Sequence, residues 1–144
     1  MAVRVEVLDQ VTDEVVEAFG RLLPQLSRSA PALDAAALQE LVSYETNTVL
    51  IARGADGIVG TLTLVMFPIP SGLRAWIEDV VVDESARGEG VGAALTEEAL
   101  RLARAGGART VDLTSRPERG AANRLYQRLG FQLRESQVYR FPFE

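Results

Sequence analysis

Apolar and polar residues alternate over residues 3–8 (VRVEVL), the period-two pattern of a strand with one buried face. The period then changes. Val15, Val16, Phe19, Leu22, Leu23 and Leu26 fall on one stripe of EVVEAFGRLLPQL, which predicts a helix capped by Asp13 and ended or kinked by Pro24. SRSAP is a loop, and LDAAALQELVSY gives a second helix with Asp34 near its start. NTVLIAR and IVGTLTLVMF are strands joined by the turn GADG, so a hairpin is expected. After the loop PIPSG, RAWIEDVVV is apolar on both faces and predicts a central strand.

A third helix has Val91, Leu95, Ala99 and Leu102 at helical spacing, with Glu97 and Glu98 ahead of Arg101 and Arg104 as the helix dipole prefers. Gly106 and Gly107 stop it. RTVDLTS is a strand, AANRLYQRLGF a short helix closed by Gly130, and SQVYRFPF a final strand. No repeat, low-complexity tract or linker interrupts the pattern. Two opening helices, a hairpin and a β-α-β-α-β run predict an α/β fold with a mixed sheet of six or seven strands and four helices, one domain over residues 1–144.

Composition narrows the chemistry more than the fold. The 144 residues carry no Cys, no His and no Lys, so all 15 basic residues are Arg and the net charge is -5. Thiolate nucleophiles, disulfides, Schiff-base lysines and the commonest general base are excluded, and no metal site is expected. An anion must be met by Arg or by backbone N–H groups. The acidic balance argues against a nucleic-acid partner, whose site would be basic. No apolar run approaches the length of a membrane span, and MAVRVEVLDQ lacks the pattern of a signal peptide. A cytoplasmic protein without a membrane partner is expected. A homodimer is compatible with the pattern.

Between the central strand and the third helix stands Arg87-Gly88-Glu89-Gly90-Val91-Gly92-Ala93. Glycines permit positive φ and close backbone approach, and a helix N-terminus adds unpaired N–H donors and partial positive charge. Together they make a phosphate or pyrophosphate cradle, which Arg87 can reinforce. A bare strand–helix turn would need only one of these glycines. Gly88-x-Gly90-x-x-Ala93 with Asp112 downstream also fits a dinucleotide fingerprint, but only two strands remain after it. A Walker A loop fails because it needs Lys.

This segment resembles the GNAT superfamily of acyl-CoA-dependent N-acyltransferases, whose signature Arg/Gln-x-x-Gly-x-Gly/Ala stands here as Arg87 to Gly92. Leu125 to Phe131, LYQRLGF, is similar to the family's late Tyr-x-x-x-Gly-Phe segment, and the likeness runs from about residue 51 to 143. The resemblance implies acetyl-CoA as cofactor, with its pyrophosphate on the backbone of Arg87, Gly88, Glu89, Gly90, Val91, Gly92 and Ala93. It implies pantetheine along Val80, Val81 and Val82 as an added pseudo-strand. Family members often carry Asn seven residues before the tyrosine, where this chain has Arg119. Asn123 shares a helical face with Arg119 and Tyr126, and takes the pantetheine contact in this reading. The family shapes its acceptor site from the first two helices and the loop between Phe67 and Gly72.

Transfer of an acetyl group to an amine needs no enzyme nucleophile, but it needs a neutral amine. A primary amine of pKa about 10.4 is neutral to roughly one part in a thousand or less at pH 7. The candidate bases are Glu78 and Asp79 in the central strand. Strand alternation predicts that only one of them reaches the acceptor pocket, with Glu78 ahead. Tyr126 matches the family's general acid, and a phenol can protonate the departing thiolate. Trp76, Tyr44, Phe67 and Tyr139 are expected in the core or a pocket wall, and Arg116 in solvent. IEDVVV is similar to the matching strand of glucosamine-phosphate N-acetyltransferases, where paired acids contact the sugar. Polyamines, antibiotics, amino acids and protein N-termini stand beside that acceptor, all small-molecule or peptide amines. An acyl-CoA-binding sensor without turnover is the alternative to an enzyme.

Overall fold

The computed structural model describes residues 3–143, and the chain divides into two compact units between Leu113 and Thr114. In the first unit the elements run β1 (Arg4–Val7), α1 (Asp13–Leu26), α2 (Ala35–Ser43), β2 (Asn47–Gly54), β3 (Gly57–Ile69), β4 (Gly72–Val82), α3 (Val91–Ala105) and β5 (Thr110–Asp112). The five strands lie in sequence order in one sheet, antiparallel throughout except for the parallel pair β4–β5. The fold is therefore mixed α/β, as the pattern predicts.

Strand alternation sorts the helices onto two faces. Val49 and Ile51 of β2 join Val15, Phe19 and Leu22 of α1 and Leu38 of α2 in one core. On the other face a side chain at Gly60 of β3 would come within 3.0 Å of Val91 and 3.2 Å of Leu95, so α3 lies directly against the strand there. Gly60 is the missing side chain that lets the N-terminal turn of α3 sit close to the sheet. In the last turns of α3 the buried residue is Ala103, and Leu102 is only half-buried.

The element boundaries correct two expectations in detail. Thr12, not Asp13, caps α1, its hydroxyl accepting the N–H of Val15, while Asp13 opens the first turn. Asp34 caps α2 by accepting from Ala37 at 2.8 Å. Pro24 sits in the last turn of α1, which ends two residues later. PIPSG is mostly strand: β3 runs through Pro68 to Ile69, paired with Leu73 and Gly72, and only Pro70 and Ser71 turn the chain.

The second unit contains α4 (Gly120–Leu129), followed by residues 131–143 without helix or strand. The expected final strand SQVYRFPF does not form, so the described sheet has five strands rather than six or seven. Val138, Tyr139, Phe141 and Phe143 are exposed there. Alternation predicts which face a strand would bury, but a strand exists only with a hydrogen-bonded partner, and these residues have no ladder. Tyr139 and Tyr44 are thus surface residues, not core.

Candidate active site

β4 carries the most irregular backbone among the described strands. Glu78 pairs with Thr63 and Val81 with Thr61, so Asp79 and Val80 together oppose the single residue Leu62. This is a β-bulge. Asp79 occupies it at φ +50°, the one described non-glycine residue with positive φ. Aspartate tolerates that conformation better than β-branched residues do, which suits an acid rather than a fourth valine to the position before Val80. The bulge resets the strand's parity. Val81 turns into the α1–α2 core, where regular alternation from Ile77 would have sent it to the α3 side.

The bulge also brings two carboxylates to one side of the sheet, where strand alternation predicts one. Glu78 and Asp79 both line a cavity of about 140 Å³ between the sheet, α1 and α2. Its walls are Phe19 and Leu23 from α1, and Leu38, Leu41 and Val42 from α2. Leu33 and Val49 complete the apolar lining, with Asn47, Thr61 and Thr63 as the uncharged polar residues. Thr61 donates its hydroxyl to Leu50 O at 2.7 Å, and Asn47 donates its amide to Leu41 O at 3.1 Å. Phe67 and the hairpin turn after it take no part in the lining. Trp76 is half-buried on β4.

Beyond Trp76, β4 and β5 part. β5 pairs only with Arg74, Ala75 and Trp76, so among the described residues Val81 and Val82 have strand partners on the β3 side alone, and Val80 lies in the bulge. This leaves an extended backbone edge next to the bulge.

The edge runs into the glycine loop. Asp83 donates its N–H to Val59 O at 2.8 Å, and its side chain accepts from Ser85 N at 3.1 Å, opening a single 3-10 turn over Glu84–Ala86. Arg87 follows in extended conformation. Gly88 has φ +83°, and Gly90, the N-cap of α3, has φ +81° and ψ +13°. A Cβ at either glycine would meet no protein atom within 4 Å. The positive φ therefore reflects backbone direction rather than crowding, and the space above the loop is open to a ligand. With no side chain capping α3, the N–H groups of Val91, Gly92 and Ala93 face outward without intrahelical acceptors. Thr96, one turn on, returns its hydroxyl to Gly92 O at 2.7 Å.

Sequence reasoning missed what holds this loop. Arg21 of α1 pairs with Asp83 and donates to Ile58 O at 3.2 Å, while Gln25 accepts the N–H of Glu84 at 3.0 Å. The Ser85 N–H lowers the Asp83 carboxyl below its ordinary range, and Arg21 adds to that against the cost of burial. Arg21 and Gln25 stand one helical turn apart, a spacing that only the tertiary fold connects to the loop.

In the second unit Arg119 is the N-cap of α4 and gives no side-chain cap. Asn123 donates its amide to Arg116 O at 3.0 Å, which ties down the turn before the helix and leaves its carbonyl oxygen as an acceptor. Gly130, at φ +108°, closes the helix and lets Phe131 return its N–H to Tyr126 O. The two rings then meet edge to face at 5.7 Å. The Tyr-x-x-x-Gly-Phe spacing is thus a helix C-cap that fixes the tyrosine ring. Burial pushes the Tyr126 phenol above its ordinary pKa, partly opposed by the charge of Arg119. The phenol therefore keeps its proton through neutral and mildly alkaline pH.

Residues 9–131 match the model of the family described as "Acetyltransferase (GNAT) family". Solved structures with similar chains include an acetyltransferase of Trypanosoma brucei, 27% identical with a TM-score of 0.78, the match covering 98% of this chain and 100% of that one. A transcriptional regulator from Bacillus halodurans C-125 is 26% identical with a TM-score of 0.81 over 99% and 100% of the two chains. A ribosomal-protein-alanine N-acetyltransferase from Brucella melitensis shares the fold at 20% identity, with a TM-score of 0.79 over 99% and 100%. No curated protein sequence matches the chain.

Proposed function

The chain belongs to the GNAT acetyltransferase family, and from that premise we propose that it acetylates the primary amine of a small molecule or peptide with acetyl-CoA. The observation that carries the cofactor assignment is the open cradle. Two glycines at positive φ, with no protein atom where their side chains would stand, precede an uncapped helix N-terminus. The backbone N–H groups of residues 87–93 would hold the pyrophosphate with Arg87 beside them, and the β4 edge at Val80, Val81 and Val82 would hold the pantetheine. Asn123 keeps a carbonyl oxygen for a pantetheine N–H. When bound, acetyl-CoA supplies an acetyl group that forms a C–N bond to the acceptor as its own C–S bond breaks.

The remaining work is proton transfer. An ammonium acceptor gives up two protons in all, one ending on the thiol and one in solvent. Glu78 and Asp79 are the groups assigned to take a proton from the acceptor, directly or through water, since the chain has no His, Cys or Lys to do so. Tyr126 is assigned to donate to the leaving sulfur. Its raised pKa supports a group that stays protonated until it is needed. Release of free thiol from acetyl-CoA across a panel of amines tests the activity. Thermal stabilisation by CoA but not by NAD tests the cradle. Stabilisation by NAD alone would replace the reading with a dinucleotide site.

A further inference from the structure

The cavity beside Glu78 and Asp79 has a character that narrows the acceptor, an inference that rests on the proposed acetyl transfer. It measures about 140 Å³. An engineered cavity of roughly 150 Å³ with a similar aliphatic and aromatic lining binds benzene, so there is room for one ring or a short hydrocarbon chain. Leu23, Leu38, Val42 and Val49 give such a body nothing to hydrogen-bond. Two of the three uncharged polar residues already donate to backbone carbonyls, Thr61 to Leu50 O and Asn47 to Leu41 O. A sugar hydroxyl or peptide amide placed among the apolar walls would lose its water without a replacement partner, which disfavours both. The charged residues of the lining, Glu78 and Asp79, are adjacent in the bulge, so one ammonium meets opposite charge there and a second would lie against apolar walls.

We infer that the acceptor is a small primary monoamine with an apolar body, its hydrocarbon part between α1, α2 and β2 and its ammonium at the Glu78–Asp79 bulge. The bulge is what makes this possible. In a regular strand Asp79 would lie on the α3 side of the sheet, leaving one carboxylate for the cavity. An amine held there lies next to the β4 edge assigned to pantetheine, because Val80 directly follows Asp79.

The test is calorimetric binding to the full chain without cofactor, followed by thiol release with acetyl-CoA. The probes are 2-phenylethylamine, 2-phenylethanol, glucosamine, spermidine and a short unblocked peptide. The expected result is 2-phenylethylamine binding at least tenfold more tightly than each of the others, and being the best acetyl acceptor. Val42→Phe, which fills the cavity from its half-exposed wall, should weaken that binding at least tenfold while stabilisation by CoA persists, showing an intact fold. Asp79→Asn should weaken the amine but not the alcohol. Tighter binding or faster acetylation of glucosamine, spermidine or the peptide would overturn the inference and leave the acetyltransferase reading standing. Unchanged 2-phenylethylamine binding in Val42→Phe would overturn it too. Tight, Val42-dependent binding without thiol release from any amine would support the cavity assignment and sink the proposed activity instead.

Discussion

Gly90→Ala separates the cost of backbone strain from the loss of an anion site, because the same helix provides a matched control. Gly90 at the N-terminus of α3 has φ +81° and Gly107 beyond its C-terminus has φ +90°. At neither would a Cβ meet a protein atom within 4 Å, so both substitutions cost conformational energy without a clash. That cost is about 1–2 kcal/mol for a residue in the left-handed region. It lowers Tm by roughly 2–8 °C in a protein of this size. The two alanine variants should therefore melt alike. Fifteen helical residues separate the sites, roughly 22 Å at 1.5 Å per residue, so only Gly90 lies in the proposed cradle. CoA at a hundred times the wild-type Kd should stabilise the wild type and Gly107→Ala by about 2.7 kcal/mol. A tenfold weaker Kd in Gly90→Ala would cut that to about 1.4 kcal/mol at the same concentration. Thermal melts of the three proteins with and without CoA measure both quantities at once. Equal CoA shifts in the two variants would mean that the open space above Gly90 is not where the phosphates lie.

Gly60→Ala would put a methyl 3.0 Å from Val91 and 3.2 Å from Leu95 and Val81 O, so chemical denaturation should show a loss of about 1–3 kcal/mol. It should also weaken CoA, because the first turn of α3 must move away from the sheet. Asp79→Val should be less stable than Asp79→Asn, since a β-branched side chain suits φ +50° poorly, and both should lose amine turnover. Asp83 has a lowered pKa in the folded protein, so its contribution is present above the unfolded value of about 3.9 and lost as pH falls through the folded one. The Tm difference between wild type and Asp83→Asn should hold at pH 5–7 and shrink below about pH 4; a difference that persists there would refute the linkage. Tyr126→Phe keeps the ring against Phe131, so stability should change little while kcat falls about 10²-fold, near the low end for a general acid. Unchanged turnover with the best acceptor would remove Tyr126 from the chemistry.

Local pattern was enough for most of the elements. The stripe of Val15, Phe19 and Leu22 gives α1 because helical period and burial coincide. Asp34 announces α2 because an acceptor side chain is the ordinary partner of an orphan N–H. The glycine loop from Arg87 to Ala93 was legible since glycine spacing and helix start are both local. The absence of His, Cys and Lys limited the acid–base groups to carboxylates and tyrosine before any geometry was known.

Only the tertiary structure decided which face Asp79 takes. Alternation assumes one residue per register step, and a bulge is an agreement between two strands, here Asp79 and Val80 against Leu62. No single-strand pattern announces it, although an acid before three valines was the available hint. The brace from Arg21 and Gln25 to the loop at Asp83 and Glu84 joins residues about sixty positions apart, beyond any periodicity. The missing final strand has the same cause. Alternation in SQVYRFPF is a property of the chain, whereas a strand is a property of a pair. Composition and local period thus set the elements, the glycine loop and the available acids, while the shape and polarity of the cavity beside Glu78 and Asp79 came from long-range pairing that the chain does not encode locally.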